Sequence, residues 1–292
     1  VGENSNIPYC HHTFNPWIGC TKVSPGCEHC YAEAWDCRFS DGVHWGPGAP
    51  RRRTSVQNWN RVRRWNREAA ATGRRTRVFC ASLADVFDNE VPAEWREDLW
   101  QLIAETPALD WILVTKRVGN VAKMAPAGGF PPNVIILSTI VDQPEANRDM
   151  GKLVRLKRAG IVSKIGVSYE PGLGEVDWSP WLPKPGGPIY NAAGGTDDIL
   201  DDEPGIDWLI VGGESSQGGA TARPFFVNWA RSAIGICRFY GVAVFIKQLG
   251  SSPTGLLPLD KAFIHDRAGA SPSEWPDDLR VRQFPVIGGY NG

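Results

Sequence analysis

Residues 111–117 read Trp-Ile-Leu-Val-Thr-Lys-Arg, an apolar run without polar alternation that ends abruptly in polar side chains. A strand that is apolar on both sides of its pleat is covered on both faces, as parallel strands under helices are. The same form recurs at Arg77–Ser82, Val134–Ile140, Lys164–Tyr169, Trp208–Gly212 and Val242–Lys247, after a first candidate strand around Thr13–Trp17. Between these runs the period changes to that of helices, at Thr54–Thr72, Ala93–Glu105, Ala146–Arg158 and Phe226–Tyr240. Pro92 and Pro224 stand just ahead of two of them, where a missing N–H costs little. Repeated strand–helix alternation predicts an α/β fold with right-handed crossovers. A complete or partial (β/α) barrel fits it better than an open sheet.

From about 177 to 206 the pattern fails: the stretch is rich in Pro and Gly, then acidic at Asp197, Asp198, Asp201, Asp202 and Glu203. It is expected to be an exposed insertion in a barrel spanning 1–250. The extension 251–292 is also rich in Pro and Gly but keeps Trp275, Leu279 and Phe284, so it is expected to pack on the barrel.

With 292 residues, 42% of them hydrophobic, the chain can bury a full core. It has no apolar run long enough to span a bilayer and no signal-peptide pattern. Seven cysteines, an odd number, then point to a reducing interior, and the expected location is cytoplasmic.

Three of those cysteines share one loop: Gly-Cys-Thr-Lys-Val-Ser-Pro-Gly-Cys-Glu-His-Cys-Tyr places Cys20, Cys27 and Cys30 at C-x6-C-x2-C, with Tyr31 directly after. Thiolates are soft ligands for zinc or iron–sulfur clusters. A structural zinc site closes with four protein ligands. Cys37 extends the spacing to C-x6-C-x2-C-x6-C, and His11, His12 and His29 are near in sequence. Three cysteines around a [4Fe-4S] cubane would leave one iron open to a small molecule.

Charge is uneven. Net charge is −1, yet residues 51–77 hold ten arginines against Glu68, a local charge of +9 that leaves the remainder near −10. Trp59 and Trp65 are interleaved with Arg61, Arg63, Arg64 and Arg67. Guanidinium forks suit phosphate and indole faces suit bases, so these arginines are candidates for nucleic-acid contact. The competing expectation is an amphipathic helix with Trp59, Val62 and Ala69 turned to the core.

Nearly every expected strand ends in a polar cluster: Ser82 with Asp85, Thr115-Lys116-Arg117, Ser138 with Asp142, Ser168 with Glu170, Gly212-Gly213-Glu214-Ser215, and Lys247-Gln248. In (β/α) barrels the loops after the strands converge on one face, where active sites form. The cysteine loop follows the first strand and is expected on the same rim. Candidate catalytic residues are Lys116, Glu170 and Lys247, which could neutralise an anion or handle a proton. Cys80 joins them as a possible hydrogen-atom donor, against its reading as a small buried hydrophobe. Candidate cofactor-binding residues are Tyr31, Ser138 and the Gly212-Gly213-Glu214 turn, where glycine lets backbone approach a ligand.

The blocks Asn15-Pro16-Trp17, the cysteine loop, Leu-Val-Thr-Lys-Arg (113–117), Val-Gly-Gly-Glu-Ser (211–215), Ala222-Arg223-Pro224, Phe-Ile-Lys-Gln-Leu-Gly (245–250), Trp275-Pro276 and Leu-Arg-Val-Arg (279–282) occur in that order. Together they resemble, over nearly the whole chain, a family of phage and prophage three-cysteine proteins of the radical S-adenosylmethionine (SAM) type. The resemblance implies a barrel of the radical SAM type, a [4Fe-4S] cluster on Cys20, Cys27 and Cys30, and SAM as cofactor. The superfamily's usual loop is C-x3-C-x2-C followed by an aromatic residue, so the first gap here is longer. Where the superfamily places Gly-Gly-Glu after an early strand, this chain reads Ala-Ser-Leu-Ala-Asp (81–85), which puts Ser82 and Asp85 forward as SAM ligands. The implied activity is a radical rearrangement of a nucleobase, such as an amino-acid-decorated thymine in phage DNA. Its implied partners are DNA, an electron donor such as flavodoxin or ferredoxin, and no membrane. Two other readings stand beside it: a zinc-stabilised nucleic-acid-binding protein without catalysis, and a radical SAM enzyme acting on a peptide or small metabolite.

Overall fold

The structure is a computed structural model that describes residues 2–184, 187–190, 196–200, 204–216, 219–255 and 264–288. Its centre is a seven-stranded sheet. The strands are β1 (His12–Phe14), β2 (Thr76–Cys80), β3 (Leu109–Thr115), β4 (Val134–Thr139), β5 (Lys164–Tyr169), β6 (Trp208–Gly212) and β7 (Ala243–Gln248). They pair in chain order and all in parallel. Right-handed crossovers between sequential neighbours put the helices that pack on the sheet on one face and leave the other face looking inward. The result is a partial (β/α) barrel.

Helices α1 (Tyr31–Ser40) and α2 (Val56–Thr72) lie between β1 and β2, and α3 (Ala93–Ala104) follows β2. Helix α4 (Val118–Met124) follows β3, α5 (Gln143–Arg158) follows β4, and α6 (Val227–Phe239) follows β6. Local chemistry sets several ends. Asp142 caps α5 by accepting from Glu145 N at 2.9 Å, and Arg155, Lys157 and Arg158 meet the negative end of its dipole. Gly73, at φ 65°, closes α2 in the left-handed conformation that glycine tolerates. The expected elements occur, with ends shifted by a few residues. Helices α1 and α4 were not expected: α1 begins at the residue after Cys30, inside what reads as a ligand loop, and α4 is only seven residues long.

Alternation along each strand separates two apolar layers. Val78, Cys80, Trp111, Leu113, Ile136, Val167 and Val211 face the helices and belong to the large outer core. Ile112, Ile135, Leu137, Trp208, Ile210 and Phe245 face inward, where Tyr9 and Cys10 from the N-terminal segment and Ile287 from the C-terminal segment join them. The inner layer is tight: a Cβ on Gly166 would lie 2.4 Å from Trp208 O.

The end strands β1 and β7 are not partners of each other. Each has its outer edge covered instead. Gly2 exchanges both backbone hydrogen bonds with Thr13, at 3.0 and 2.8 Å. On β7, Ile246 N donates to Val281 O (2.8 Å), and Gln283 N donates to Val244 O (2.9 Å). Backbone groups that would invite further strands are thereby satisfied. Trp275 and Leu279, ahead of this segment, are buried.

The expected insertion at 177–206 lies partly outside the described residues. Its described flanks pack rather than extend, with Trp178, Leu182 and Ile206 buried, and Gly187–Tyr190 pairs antiparallel with Thr196–Leu200. No helix among the described residues is long and apolar enough to cross a membrane.

Helix α2 answers the question posed by the arginine-rich segment. Trp59 and Trp65 are 6% and 1% exposed, so neither indole can stack on a base. Trp65 stacks instead on the His12 ring at 4.2 Å, and Trp59 meets Phe14 edge-on at 5.4 Å. Trp65→Ala should therefore cost about 3–5 kcal/mol of stability, as large aromatic truncations in a core do. The check is a chemical denaturation curve with a lower midpoint and unchanged slope. A wild-type midpoint would place that indole outside the core.

Candidate active site

On the inner face the side chains change from apolar to polar toward the C-terminal ends of the strands. Ile112 and Val114 lead to Lys116, Ile135 and Leu137 to Thr139, Gly166 to Ser168 and Glu170, and Ala243 and Phe245 to Lys247. Lys116, Thr139, Ser168, Glu170 and Lys247 border a cavity of about 710 Å³. Cys20, Cys27 and Cys30 border the same cavity, as do Tyr31, Ser82, Asp85, Gly213 and Glu214. The fold thus gathers most of the expected site residues in one place.

Two ion-pair networks, the first buried and the second partly exposed, tie the cysteine loop to the strand ends. In the first, Arg117 donates from Nη1 to Cys20 Sγ (3.3 Å) and to Asp85 Oδ2 (3.2 Å), and from Nη2 to Thr21 O (2.7 Å). Asp85 also accepts from Thr115 Oγ1 (2.8 Å), Phe87 N (2.9 Å) and Lys116 N (3.0 Å). Burial, followed by the Asp85 charge, pushes the free Cys20 thiol up to about 11. In the second network, Arg223 donates to both oxygens of Glu214, from Nε to Oε2 at 3.0 Å, and His29 Nδ1 lies 3.0 Å from the same oxygen. Arg223 Nη1 reaches on to Pro25 O and Glu28 Oε2, each at 3.0 Å. Burial opposes ionisation of Glu214, but the hydrogen bonds from Arg223 and His29 outweigh it and hold its carboxyl below the usual range.

Within the loop, Ser24 Oγ accepts from Gly26 N at 3.1 Å, shaping the turn Pro25–Cys27. Gly26 is wedged so closely that a Cβ would lie 2.7 Å from Val141 Cγ1 and 3.4 Å from Lys116 Cε. Asn15 ties the first strand to the next loop by accepting from Leu83 N (2.7 Å) and donating to Ser82 Oγ (3.0 Å). Across the cavity Lys247 pairs with Glu170, and Gly212 gives Glu170 room, since a Cβ there would stand 3.3 Å from its Cδ. Lys116 has no acid partner among the described residues.

Some expected residues lie elsewhere. Cys80 is fully buried in the layer facing the helices, and burial pushes its thiol far up. Ser138 is also buried, off the cavity, its hydroxyl without a partner among the described residues. Arg61, Arg63, Arg64 and Arg67 lie on α2, outside the barrel wall. Glu68 does not stand alone against their segment, which corrects the linear charge count. Arg51 pairs with Asp88 and Glu90, Arg53 with Asp98, Arg63 with Glu105, Arg64 with Glu3, and Arg75 with Asp110.

Sequence reading gave no role of their own to Tyr9, Thr139, Arg117 or Arg223, and weighed His29 only as a neighbour of a zinc site. The last three stood inside quoted blocks, and their adjacency to the singled-out Lys116, Pro224 and Cys30 was the available signal. Thr139 carried only the inward parity it shares with Ile135 and Leu137, and Tyr9 carried none. Cys37 sits exposed on α1 and does not border the cavity, so the four-cysteine spacing does not become a four-cysteine site. Among the described residues no three His, Cys, Asp or Glu side chains converge as the donors of one metal ion do. Cubane ligands each bind a different iron and stand farther apart, so three thiols bordering one cavity suit a cluster in donor type and number.

If Arg223 is what anchors the loop, Arg223→Gln should loosen residues 24–30 by about 2 kcal/mol, the scale of hydrogen bonds to charged groups. Hydrogen exchange would show it as amide rates faster by roughly one to two orders of magnitude there, with α3 unchanged. Equal protection in the variant would mean that Arg223 does not clamp the loop.

The family described as "Protein of unknown function (DUF5131)" matches residues 4–269. No curated protein sequence matches the chain. Among solved structures, a cysteine-to-serine mutant of spore photoproduct lyase is similar at a TM-score of 0.40 and 17% identity, over 59% of this chain and 48% of that one. A second spore photoproduct lyase mutant, with bound AdoMet and dinucleoside spore photoproduct, is similar at a TM-score of 0.40 and 14% identity over the same shares. The match thus spans about half the length of either solved chain. Because the family match takes in all seven strands of the sheet and the cysteine loop, this chain belongs to the family described as Protein of unknown function (DUF5131).

Proposed function

We propose that this protein is a radical SAM enzyme that binds a [4Fe-4S] cluster through Cys20, Cys27 and Cys30 and acts on a nucleobase. One observation carries the reading: three thiols from one short loop border a single cavity at the C-terminal ends of a parallel sheet. That is the face on which (β/α) barrels build active sites. A cluster held there supplies the electron that cleaves SAM, and with it the radical chemistry needed at an unactivated C–H bond.

The chain's own residues bind, orient and shield. Arg117 donates to Cys20 Sγ, and the Arg223–Glu214 pair fixes the turn that carries Cys27. Lys116, beside Gly26 and without an acid partner among the described residues, can take a carboxylate or a phosphate. The Glu170–Lys247 pair can exchange a proton with a bound substrate. Asp85 and Glu214 spend their oxygens within the protein, so SAM recognition falls to Tyr31, Ser82, Gly213 and Lys116 around the cavity. The finer form of the proposal is an isomerase acting on an amino-acid-decorated thymine in phage DNA, with flavodoxin or ferredoxin as electron donor. A base in a duplex would have to flip out to enter the cavity. Exposed Arg61 and Arg67 are the α2 arginines left to meet phosphate. A second reading, the same chemistry on a small metabolite, is favoured by the pairing of Arg63 with Glu105 and Arg64 with Glu3.

Protein purified without oxygen should be brown and hold about four irons and four sulfides per chain, as a cubane cluster requires. Cys20→Ala, Cys27→Ala and Cys30→Ala should each abolish the colour, and Cys37→Ala should keep it. With a strong reductant the wild type should release 5′-deoxyadenosine from SAM. A colourless, zinc-loaded protein would sink the proposal.

The nucleic-acid half has its own test. Affinity for single-stranded DNA should fall linearly with log salt, and replacing Arg61 and Arg67 together by Gln should flatten the slope by roughly one unit for each phosphate no longer engaged. Binding that ignores salt would favour the small-metabolite reading.

A further inference from the structure

The deepest part of the cavity is built for something the cysteine rim does not explain. Tyr9 lies inside the barrel with its ring 5.7 Å from Phe79, 6.0 Å from Trp208 and 6.2 Å from Phe245. It closes the cavity from below. Thr139 and Ser168 are register partners on adjacent strands, so their side chains stand next to each other on the inner face. Tyr9, Thr139 and Ser168 are 3%, 3% and 6% exposed, and all border the cavity. None of the three hydroxyls has a hydrogen-bond partner among the described residues, and none is among the sealed-off polar atoms, so each opens into the cavity.

A hydroxyl that faces a cavity without a protein partner is free to bond whatever fills that cavity, and convergent polar groups of this kind fix a ligand's orientation. Three unmet hydroxyls around one space therefore describe a polar subsite. Its charge is neutral. Lys247 and Glu170 beside it neutralise each other, and burial drives the Tyr9 phenol well up, keeping its proton available for donation. Lys116, a cation of the cavity without an acid partner among the described residues, stands against Gly26 in the cysteine loop. A phosphate or carboxylate belongs there, and an uncharged group with both donors and acceptors belongs at the floor. The aromatic walls, Tyr9 and Phe79, favour a flat one.

We propose that Tyr9, Thr139 and Ser168 form a subsite for the edge of an uncharged heterocycle, a nucleobase that enters ring-first with its phosphate end toward Lys116. The inference rests on the nucleobase reading above and adds the orientation of the base and the residues that read it. The heterocycle can come from the substrate or from the adenine of SAM, and the two sources are separable by experiment.

The experiment is calorimetric binding to the full chain, with thymidine, its difluorotoluene isostere (same shape, no hydrogen-bonding edge) and 5′-deoxyadenosine as probes. Wild type should bind thymidine more tightly than the isostere. Tyr9→Phe, Thr139→Val and Ser168→Ala should each weaken thymidine by about threefold to tenfold, the scale of one hydrogen bond. They should leave the isostere unchanged, and thermal melts of the three variants would confirm folding. The same losses for 5′-deoxyadenosine, with thymidine indifferent, would support the subsite and identify the cofactor's adenine as its occupant. The proposal is overturned if the substitutions weaken thymidine and isostere equally, or if neither nucleoside binds. Hydroxyl-dependent nucleoside binding by a protein that holds no iron would defeat the radical SAM reading and leave the subsite standing.

Discussion

An all-parallel sheet cannot leave either face to water, and this constraint organises the molecule. Helices cover the outer face. The inner face is covered by its own side chains, by Tyr9 and by Ile287, and its two edges by Gly2 and by the 281–283 segment. Because the inner side chains are apolar below and polar at the strand ends, the covering stops partway up. What remains is a cavity whose floor is Tyr9 and whose rim is the cysteine loop.

That loop has apolar contacts at Cys27 and Cys30 and ionic ones at both ends. Arg117 and Arg223 each bridge a carboxylate at a strand end to the loop's backbone. Where buried, such pairs need not add much net stability, because desolvation offsets the attraction. Their geometric demand is what matters here: a guanidinium satisfied on several sides holds its partners in one arrangement. The same saturation leaves Asp85 and Glu214 engaged within the protein, while Lys116 and the cavity hydroxyls have no such partners among the described residues.

The arginine-rich segment shows how far linear charge counting reaches. At the level of sequence it is an unbalanced block. In the fold, Glu3, Asp88, Glu90, Asp98, Glu105 and Asp110 come to it from other elements, and Arg51 becomes one of the more buried side chains of the β1–β2 crossover. Arginine patches that do meet nucleic acid have to keep their guanidinium groups free, and on α2 only Arg61 and Arg67 have no acid partner among the described residues.

The strand positions, their polar C-terminal ends and the place of the cysteine loop on the rim were legible in the chain. Each depends on local periodicity, and alternation along a strand assigns inner and outer faces from residue order alone. The same alternation could have placed Cys80 and Ser138 on the outer face, since each has the parity of the helix-facing neighbours Val78 and Ile136. Partnership was not legible. Arg117 meets Cys20 across 97 positions, Arg223 meets Pro25 across 198, and Tyr9 reaches Trp208 only because the sheet curls around it. Composition told that charges and hydroxyls were present, but only the tertiary structure decided which were used up in pairs and which were left facing the cavity, because pairing depends on distance in space and not on separation in sequence.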